Sequence, residues 1–355
     1  MATAYEKQLK ALTLKVWLYK QGEMVSLMIH IGDRLGLYKT LTGAGIVTAE
    51  ELAEKTNYHP RWLLEWLKNQ AAAGIIEYHE NDRFELTEVG SAVMANEEDS
   101  LQFAVGAFNE PLGAERIEKV IEAFKTGLGF SYQDQGPACA HSTERMLGPW
   151  TKLALIPQII PRIEGVQEKL ENKAMVADVG CGTGTAIMTL AEAYPNSDFH
   201  GYDSCGHAIT RAKERVKELG LTNISFHHVE GEALPKEETF DFVLTFDCMH
   251  DMTRPDLVID AIRLALKSDG TWLIKDIKST GSFLGDQKNP TLALLYAFSI
   301  TSCMSSALSE ADGLGLGTLG FHPKVAEDMT KAGGFSQFTL HDVGDPSNLY
   351  YEIKI

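Results

Sequence analysis

The sequence predicts a doubly wound α/β sheet with an N-terminal winged helix and helical lid inserts. After residue 172, short apolar segments alternate with amphipathic helices, as in parallel sheets covered by helices. Before residue 96, the order helix, turn, helix and hairpin indicates a winged helix. The chain has 355 residues, 44% of them hydrophobic and 23% charged, which is the size and composition of about two or three globular domains.

Three regions follow from these patterns. Residues 1–95 are predicted to form the winged-helix domain, which we expect to serve dimerisation or substrate closure. Residues 96–172 form a helical connector and lid, interrupted by glycine and proline. Residues 173–355 form the sheet domain, with a second lid insert at 281–320.

The winged helix is predicted from its turn and cap residues. Thr48 and Glu51 have the spacing of a capping box and start a short helix. Pro60 suits the first turn of the next helix, which ends at Gly74. Two short segments, 75–78 and 83–86, then flank a turn and form the wing.

Two helices are expected ahead of the winged helix. They are rich in apolar side chains, among them Trp17, Leu18, Val25 and Met28. Such side chains can pack against a second copy of the chain, so we expect a homodimer formed through the N-terminal domain.

The charge balance argues against nucleic acid as a partner. The net charge is −17, and residues 1–95 carry 10 basic against 12 acidic side chains. A DNA-binding surface must neutralise several phosphates, and this one cannot. No apolar run approaches the roughly 20 residues that span a bilayer, so we expect no membrane partner. Five scattered cysteines without a C-x-x-C pair favour a reducing compartment, and we predict a cytoplasmic protein.

The first strand of the sheet domain ends in a glycine-rich loop. The predicted strands are 175–179, 198–202, 224–229, 240–246 and 271–277, followed by a closing antiparallel pair, 335–342 and 348–355. In the loop, Gly180, Gly182 and Gly184 alternate with other residues, and Thr185 stands where a dinucleotide-binding loop has its third glycine. This departure disfavours NAD.

The second strand ends in a carboxylate, Asp203. An acid at this position can accept both hydroxyls of a ribose. Together with the glycine-rich loop, Asp203 predicts a site for an adenosine ligand.

Residues 173–355 resemble the class I S-adenosylmethionine (SAM) dependent methyltransferases. The segments 178–184, 230–235 and 240–247 match motifs of that family, although Glu230 and Gly231 replace its usual Asp and Ala. The resemblance implies SAM as cofactor and S-adenosylhomocysteine (SAH) as product. The cofactor contacts that it implies come from Asp178, Gly180, Cys181, Gly182, Gly184, Asp203, Ser204, Glu230, Gly231, Asp247 and Cys248.

A narrower resemblance covers the whole chain. The winged region and the segments 129–132, 247–251 and 313–317 are similar to a group of winged-helix small-molecule methyltransferases with actinobacterial, fungal and nematode members. The branch that this sequence most resembles includes enzymes that methylate small thiols. The winged region is also similar to the dimerisation domain of plant-type O-methyltransferases.

His250 and Asp251 are the predicted catalytic residues. They follow the fourth strand, and strand ends of such a sheet face the ligand crevice. His250 can act as a general base, and Asp251 can orient it or act itself. The alternative is that Asp251 caps the following helix and His250 is a packed histidine.

The acceptor pocket is predicted from the two inserts. Tyr132 and Trp150 come from the insert at 130–150, and Tyr296 and Met304 come from an apolar helix at 291–308. No Arg or Lys in either stretch suggests a clamp for an anionic acceptor. No metal site is expected, because the adjacent His227 and His228 point to opposite faces of their strand and the segment 275–276 offers one ligand.

The sequence therefore predicts SAM-dependent methyl transfer to a small molecule, with a low-molecular-weight thiol as the favoured acceptor. The alternative is an O-methyltransferase acting on a phenol or another small hydroxyl compound. A SAM-responsive winged-helix transcription regulator and a non-catalytic partner subunit are more remote alternatives.

Overall fold

A winged helix lies in the N-terminal part of the chain, as the sequence predicted. The computed structural model describes residues 2–109 and 111–355, which divide into two units, Met1–Pro111 with Arg145–Pro149 and Leu112–Glu144 with Trp150–Ile355. The elements of the first unit are α1 (Ala4–Arg34), α2 (Leu37–Leu41), α3 (Ala49–Thr56), α4 (Pro60–Ala72), β1 (Glu77–His79), β2 (Arg83–Glu85), α5 (Glu88–Met94) and a 3₁₀ turn (Val105–Ala107).

Local chemistry explains where these elements begin. The side chain of Thr48 accepts a hydrogen bond from the backbone N–H of Glu51, and Glu51 accepts one from the N–H of Thr48, so the capping box is confirmed. Pro60 is the first residue of α4. The wing strands β1 and β2 pair antiparallel, and Val47 bridges to Phe84 beside them.

Two helices, α1 and α2, precede the winged helix, and they differ greatly in length. One helix, α1, spans 31 residues and contains Trp17, Leu18, Val25 and Met28. Gly22 is the only helix breaker in its first six turns, and one interior glycine costs only about 1 kcal/mol. The chain therefore has no strong reason to turn there.

The second unit is a seven-stranded sheet covered by helices. Its strands are β3 (Met175–Val179), β4 (Asp198–Asp203), β5 (Ile224–His228), β6 (Phe240–Phe246), β7 (Leu266–Ile277), β8 (Gln337–His341) and β9 (Asn348–Lys354). Its helices are α6 (Ala114–Thr126), α7 (Tyr132–Gln135), α8 (Pro137–Ala154), α9 (Val166–Glu171), α10 (Thr185–Ala193), α11 (Gly206–Leu219), α12 (Pro255–Ala265), α13 (Phe283–Asp286), α14 (Leu292–Phe298), α15 (Met304–Ala307) and α16 (Pro323–Ala332).

The strand order is β5-β4-β3-β6-β7-β9-β8. All pairs from β5 to β7 are parallel, and β9 runs antiparallel to both β7 and β8. Ile187 and Leu190 of α10 pack on one face of the sheet, and Ile259 and Ile262 of α12 pack on the other. The strands β3 and β6 have the predicted bounds, and the other predicted strands are also present.

This topology places a crevice at the carboxyl ends of β3 and β6. After β3 the chain continues outward to β4 and β5, and it then returns to the other side of β3 as β6. Ligands of doubly wound sheets bind at such a switch point. The predicted apolar helix at 291–308 is also present, but a π-helical turn (Ser299–Cys303) interrupts it between α14 and α15.

Candidate active site

The loop after β3 depends on its glycines. Gly180 has a φ of 73°, and a Cβ there would lie 2.7 Å from the sulfur of Cys248. Gly182 has a φ of 55°, and its N–H donates to Oδ2 of Asp203 at 2.7 Å. Side chains at these positions would be strained or would clash. The loop therefore keeps its backbone open to a ligand in the crevice.

Two carboxylates, the buried Asp178 and the half-buried Asp203, lie beside this loop. Asp178 is 1% exposed, and its Oδ1 has no hydrogen-bond partner among the described residues. Burial, together with the charge of Asp203, raises the pKa of Asp178 to about 8. An unpaired buried carboxylate is costly unless a cation or donor meets it. The amino group of SAM is such a donor, so the residues present fit this cofactor.

Asp203 is already engaged with the backbone. Its two oxygens accept the N–H groups of Gly182 and Cys205, each at 2.7 Å. Each carboxylate oxygen has a second lone pair, so ribose hydroxyls can still donate to it. Burial raises the pKa of Asp203, and these two hydrogen bonds act in the opposite direction.

The remaining predicted cofactor residues lie in different environments. Cys181 and Cys248 are buried, and the thiol of Cys248 donates to the carbonyl of Val179 at 3.2 Å. Ser204 and Glu230 are exposed at the ends of β4 and β5. A Cβ added at Gly231 would meet Val258 at 3.0 Å, so the backbone is tightly packed there.

Asp247 holds the end of β6. It has a φ of 54°, which is rare for a residue other than glycine. Its Oδ2 pairs with the buried ammonium of Lys275 at 2.5 Å, and its Oδ1 accepts from the amide of Asn348. These bonds hold the strained turn that leads to His250. Both oxygens of Asp247 are thus committed to the protein, and its contact with the cofactor stays a prediction.

His250 pairs with Asp276 at the adjacent strand end. Nδ1 of His250 lies 2.7 Å from Oδ1 of Asp276, and the two side chains are 3% and 1% exposed. Burial alone would lower the pKa of His250, but the charge and hydrogen bond of Asp276 raise it well above its ordinary value. Asp276 occupies Nδ1, and a hydrogen bond with the thiol of Cys303 also raises the pKa of this imidazole, so an acceptor's proton would come to Nε2 beside Cys303.

The partner of His250 is therefore not Asp251, which the sequence suggested. The alternative role of Asp251 as a helix cap is also absent, because α12 begins after Arg254, which makes no side-chain cap. Asp251 is 8% exposed, and burial raises its pKa to about 7. Sequence reasoning considered Asp276 only as a metal ligand. Its position at a strand end, like that of His250, was the signal for the pair.

Residues from the lid inserts approach the dyad. The hydroxyl of Tyr132 lies 3.9 Å from the sulfur of Cys303, in the π-helical turn. His250, Asp251 and Cys303 place one donor atom each within 4.8 Å of one another. This set has the donor atoms and spacing of a metal site, whereas the sequence predicts chemistry without a metal.

The other predicted acceptor residues are more dispersed. The indole N–H of Trp150 donates to the hydroxyl of Tyr350 at 2.8 Å. Tyr296 is 41% exposed, with its ring 6.2 Å from that of Phe283. Met304 is half-buried beside Gly317. Their role in binding an acceptor stays a prediction.

Comparisons with known families agree with this architecture. Residues 170–308 match the family described as "Methyltransferase domain". Residues 23–95 match the "Rv2258c-like winged HTH domain". The first match covers the region that contains the glycine-rich loop and the dyad. The second match covers the winged helix.

Curated relatives match a short segment. A ribosomal RNA small subunit methyltransferase G from Bacteroides fragilis is 37% identical over 70 residues, which are 20% of this chain and 33% of the relative. A tRNA (guanine-N(7)-)-methyltransferase from Chloroflexus aggregans is 39% identical over 79 residues, 22% of this chain and 35% of the relative. The chain thus spans about a third of the length of these relatives.

Solved structures match over nearly the whole chain at low identity. The mitomycin 7-O-methyltransferase MmcR has a TM-score of 0.66 at 16% identity, covering 98% of this chain and 99% of that one. Human N-acetylserotonin methyltransferase in complex with SAM has a TM-score of 0.63 at 16% identity, covering 100% and 99%. The N,N-8-amino-8-demethyl-D-riboflavin dimethyltransferase RosA from Streptomyces davawensis has a TM-score of 0.56 at 17% identity, covering 100% of both chains. At such identity the likeness shows the fold alone.

Proposed function

The chain contains a SAM-dependent methyltransferase domain behind a winged helix-turn-helix domain, and from this premise we propose that it methylates a small-molecule thiol. The buried His250–Asp276 dyad supports the place of methyl transfer, and the resemblance to thiol-methylating winged-helix enzymes supports the thiol. His250 follows β6 and Asp276 lies near the end of β7, on the edge of the sheet where β3 presents the glycine-rich loop. A cofactor held by that loop and a nucleophile at the dyad would share one crevice.

The chain's own residues have distinct tasks in this proposal. When bound, SAM would supply a methyl group carried on its sulfonium sulfur. That sulfur would keep the electron pair of the broken bond to the methyl carbon, and the cofactor would leave as SAH. Asp178 and Asp203 hold the amino group and ribose of the cofactor. Nε2 of His250 receives the acceptor's proton, and Asp276 stabilises the imidazolium that results.

Thiol chemistry suits this dyad. An unperturbed thiol has a pKa of about 8.5, whereas a phenol has a pKa of about 10. Since Asp276 raises the pKa of His250, the imidazole can retain the thiol's proton and form a thiolate–imidazolium pair at neutral pH. The resemblance to thiol-methylating winged-helix enzymes supports the same choice.

O-methylation is the second candidate. Its specific support is that an oriented, buried histidine is what a phenol needs, because a phenol keeps its proton at neutral pH. MmcR is named as an O-methyltransferase, whereas RosA is named as an N,N-dimethyltransferase. The shared fold is thus compatible with several acceptor atoms and does not choose among them.

The variant His250→Ala separates the two candidates. With a thiol acceptor, we expect less than about tenfold loss of kcat/KM at pH 8, and the loss should shrink as the pH rises through the thiol pKa. With a phenol acceptor, losing the base should cost about 10²–10⁴-fold. His207→Ala, on α11, is the matched control. A hundredfold loss with intact SAM binding, together with faster turnover of phenols than thiols, would favour O-methylation.

The proposal includes a homodimer formed through α1. The first half of this helix is exposed along its length, including Trp17 at 67% and Tyr19 at 66%. An isolated helix of this size is marginal in water, and apolar side chains exposed on it favour a partner surface.

DNA binding is not part of the proposal. The two cations of α4, Arg61 and Lys68, already pair with Glu65 and Asp82. Cytoplasmic location is part of it, in keeping with five free cysteines. No helix in the described residues is long and apolar enough to cross a bilayer.

A further inference from the structure

Arg116 is a fixed cation near the predicted acceptor residues. It extends from α6, and its Nη2 donates to Oε1 of Gln135 at 2.5 Å and to the carbonyl of Thr301 at 2.9 Å. Its guanidinium carbon lies 5.9 Å from the centre of the Phe130 ring. These contacts orient the guanidinium without neutralising it.

Gln135 has one amide orientation that satisfies its neighbours. Its Oε1 accepts from Arg116, from the hydroxyl of Ser302 at 2.8 Å and from the thiol of Cys139 at 3.3 Å. Arg116 can only donate, so the oxygen of the amide must face it. The Nε2 group of Gln135 is therefore directed away from these three donors.

Two N–H donors remain unused as a result. Nε2 of Gln135 and Nε of Arg116 are both buried and have no hydrogen-bond partner among the described residues. Gln135 as a whole is only 9% exposed. A buried donor without a partner costs about 1–3 kcal/mol, so the arrangement calls for an acceptor group.

The missing partner is expected to be negatively charged. The chain has a net charge of −17, and the buried Arg215 is paired with a carboxylate, that of Glu144. No carboxylate in the part of the chain that the structure describes forms an ion pair with Arg116. Nη2 of Arg116 is already used, so the acceptor would take one hydrogen bond from Nε of Arg116 and one from Nε2 of Gln135, and a charge-assisted bond to a carboxylate is the strongest of this kind.

This donor pair adjoins the candidate catalytic cluster. Ser302, which bonds Gln135, precedes Cys303 in the π-helical turn. Cys303 in turn lies 3.9 Å from the hydroxyl of Tyr132 and within the 4.8 Å cluster of His250 and Asp251. Adjacent residues of the π-helical turn thus contact Gln135 on one side and belong to the cluster of His250 on the other.

We propose that Arg116 and Gln135 form a carboxylate subsite, so that the methyl acceptor is a small thiol that also carries a carboxylate group. This inference rests on the proposed function and narrows its substrate class. The sequence did not suggest it, because Arg116 lies outside both predicted lid inserts.

The test compares a thiol acid with its neutral ester. 3-Mercaptopropionate and its methyl ester have the same thiol and differ in the carboxylate. We expect wild-type protein to prefer the acid at least tenfold in kcat/KM. Arg116→Met should lose at least tenfold more on the acid than on the ester, whereas Lys119→Met, one turn along α6, should keep the wild-type preference.

Gln135→Glu provides a second variant that preserves shape. Its carboxylate would pair with Arg116 and fill the subsite, so the preference for the acid should disappear while the melting temperature holds. If wild-type protein does not distinguish acid from ester, or if Arg116→Met and Lys119→Met have the same preference, the subsite is refuted.

A binding measurement separates this inference from the proposed function. Calorimetry on SAH-loaded protein compares 3-(methylthio)propionate with its methyl ester, and it requires no turnover. Arg116-dependent binding of the acid without methylation of any thiol would support the subsite and contradict the thiol function. Methylation of both thiols at equal rates, with equally weak binding of both products, would support the function and contradict the subsite.

Discussion

Asp178→Asn should make the ligand-free protein more stable at alkaline pH and weaken its binding of SAM. Asp178 is buried with an unpartnered oxygen, and its pKa is raised from the ordinary 3.8 to about 8. Because the folded pKa lies above the unfolded value, the stability of wild-type protein is highest below pH 4 and is lost as the pH rises towards 8. Asparagine has a similar shape and cannot ionise.

The magnitude follows from the difference between the folded and unfolded pKa values of Asp178. Each tenfold change in an ionisation constant corresponds to about 1.4 kcal/mol, so wild-type protein should lose about 4 kcal/mol between pH 5 and pH 8 through this group. For a domain of about 150–250 residues, that difference moves the melting temperature by about 8–16 °C. The gain of Asp178→Asn over wild type should therefore grow by this amount between pH 5 and pH 8.

Two measurements check the prediction. Thermal melts of ligand-free wild type and Asp178→Asn at pH 5, 6.5 and 8 give the stability difference, and calorimetry gives the affinity for SAH. Losing a charge-assisted bond to the amino group should weaken SAH binding by about 10–100-fold. Asp198→Asn, exposed at the start of β4, is the control and should change neither quantity. A variant that is less stable than wild type at every pH, or that binds SAH normally, would refute this account of Asp178.

Three further predictions concern the dyad, metal content and assembly. Asp276→Asn should move the acidic limb of the pH profile of kcat/KM to lower pH. The reason is that His250 acts as a base in its unprotonated form and that Asp276 raises its pKa. An acidic limb at the wild-type pH would contradict the pairing of His250 with Asp276. Treatment with a chelator should leave activity unchanged. If elemental analysis instead finds one zinc per chain, and Cys303→Ala loses it, the cluster of His250, Asp251 and Cys303 holds a metal. Trp17→Glu should convert a dimer to a monomer in sedimentation, while Phe124→Glu, exposed on α6, should not; a monomeric wild type would contradict the proposed dimer.

The sheet was predictable because its strands carry local signals. The apolar runs of β3 and β6 are bounded by polar and glycine residues, and both strands have their predicted bounds. The capping box at Thr48 and Pro60 at the start of α4 likewise depend on residues a few positions apart. Where neighbouring residues determine the structure, the sequence was sufficient.

Long-range pairing was not predictable in the same way. The partner of His250 depends on the register between β6 and β7, which brings Asp276 to it across 26 residues. The pairing of Arg116 with Gln135 and Thr301 depends on how α6, α7 and the π-helical turn pack.

The most direct test of the central claim is the choice of acceptor by the purified protein. With SAM supplied, methylated products from equal concentrations of a small thiol, a phenol and an amine are quantified by mass spectrometry across pH 6–9, with His250→Ala as a parallel sample. We predict that the thiol is methylated at the highest kcat/KM and that its rate is the least sensitive to loss of His250. Faster methylation of the phenol, abolished in His250→Ala, would contradict the thiol assignment, and no SAM-dependent product from any acceptor would contradict the enzyme activity itself.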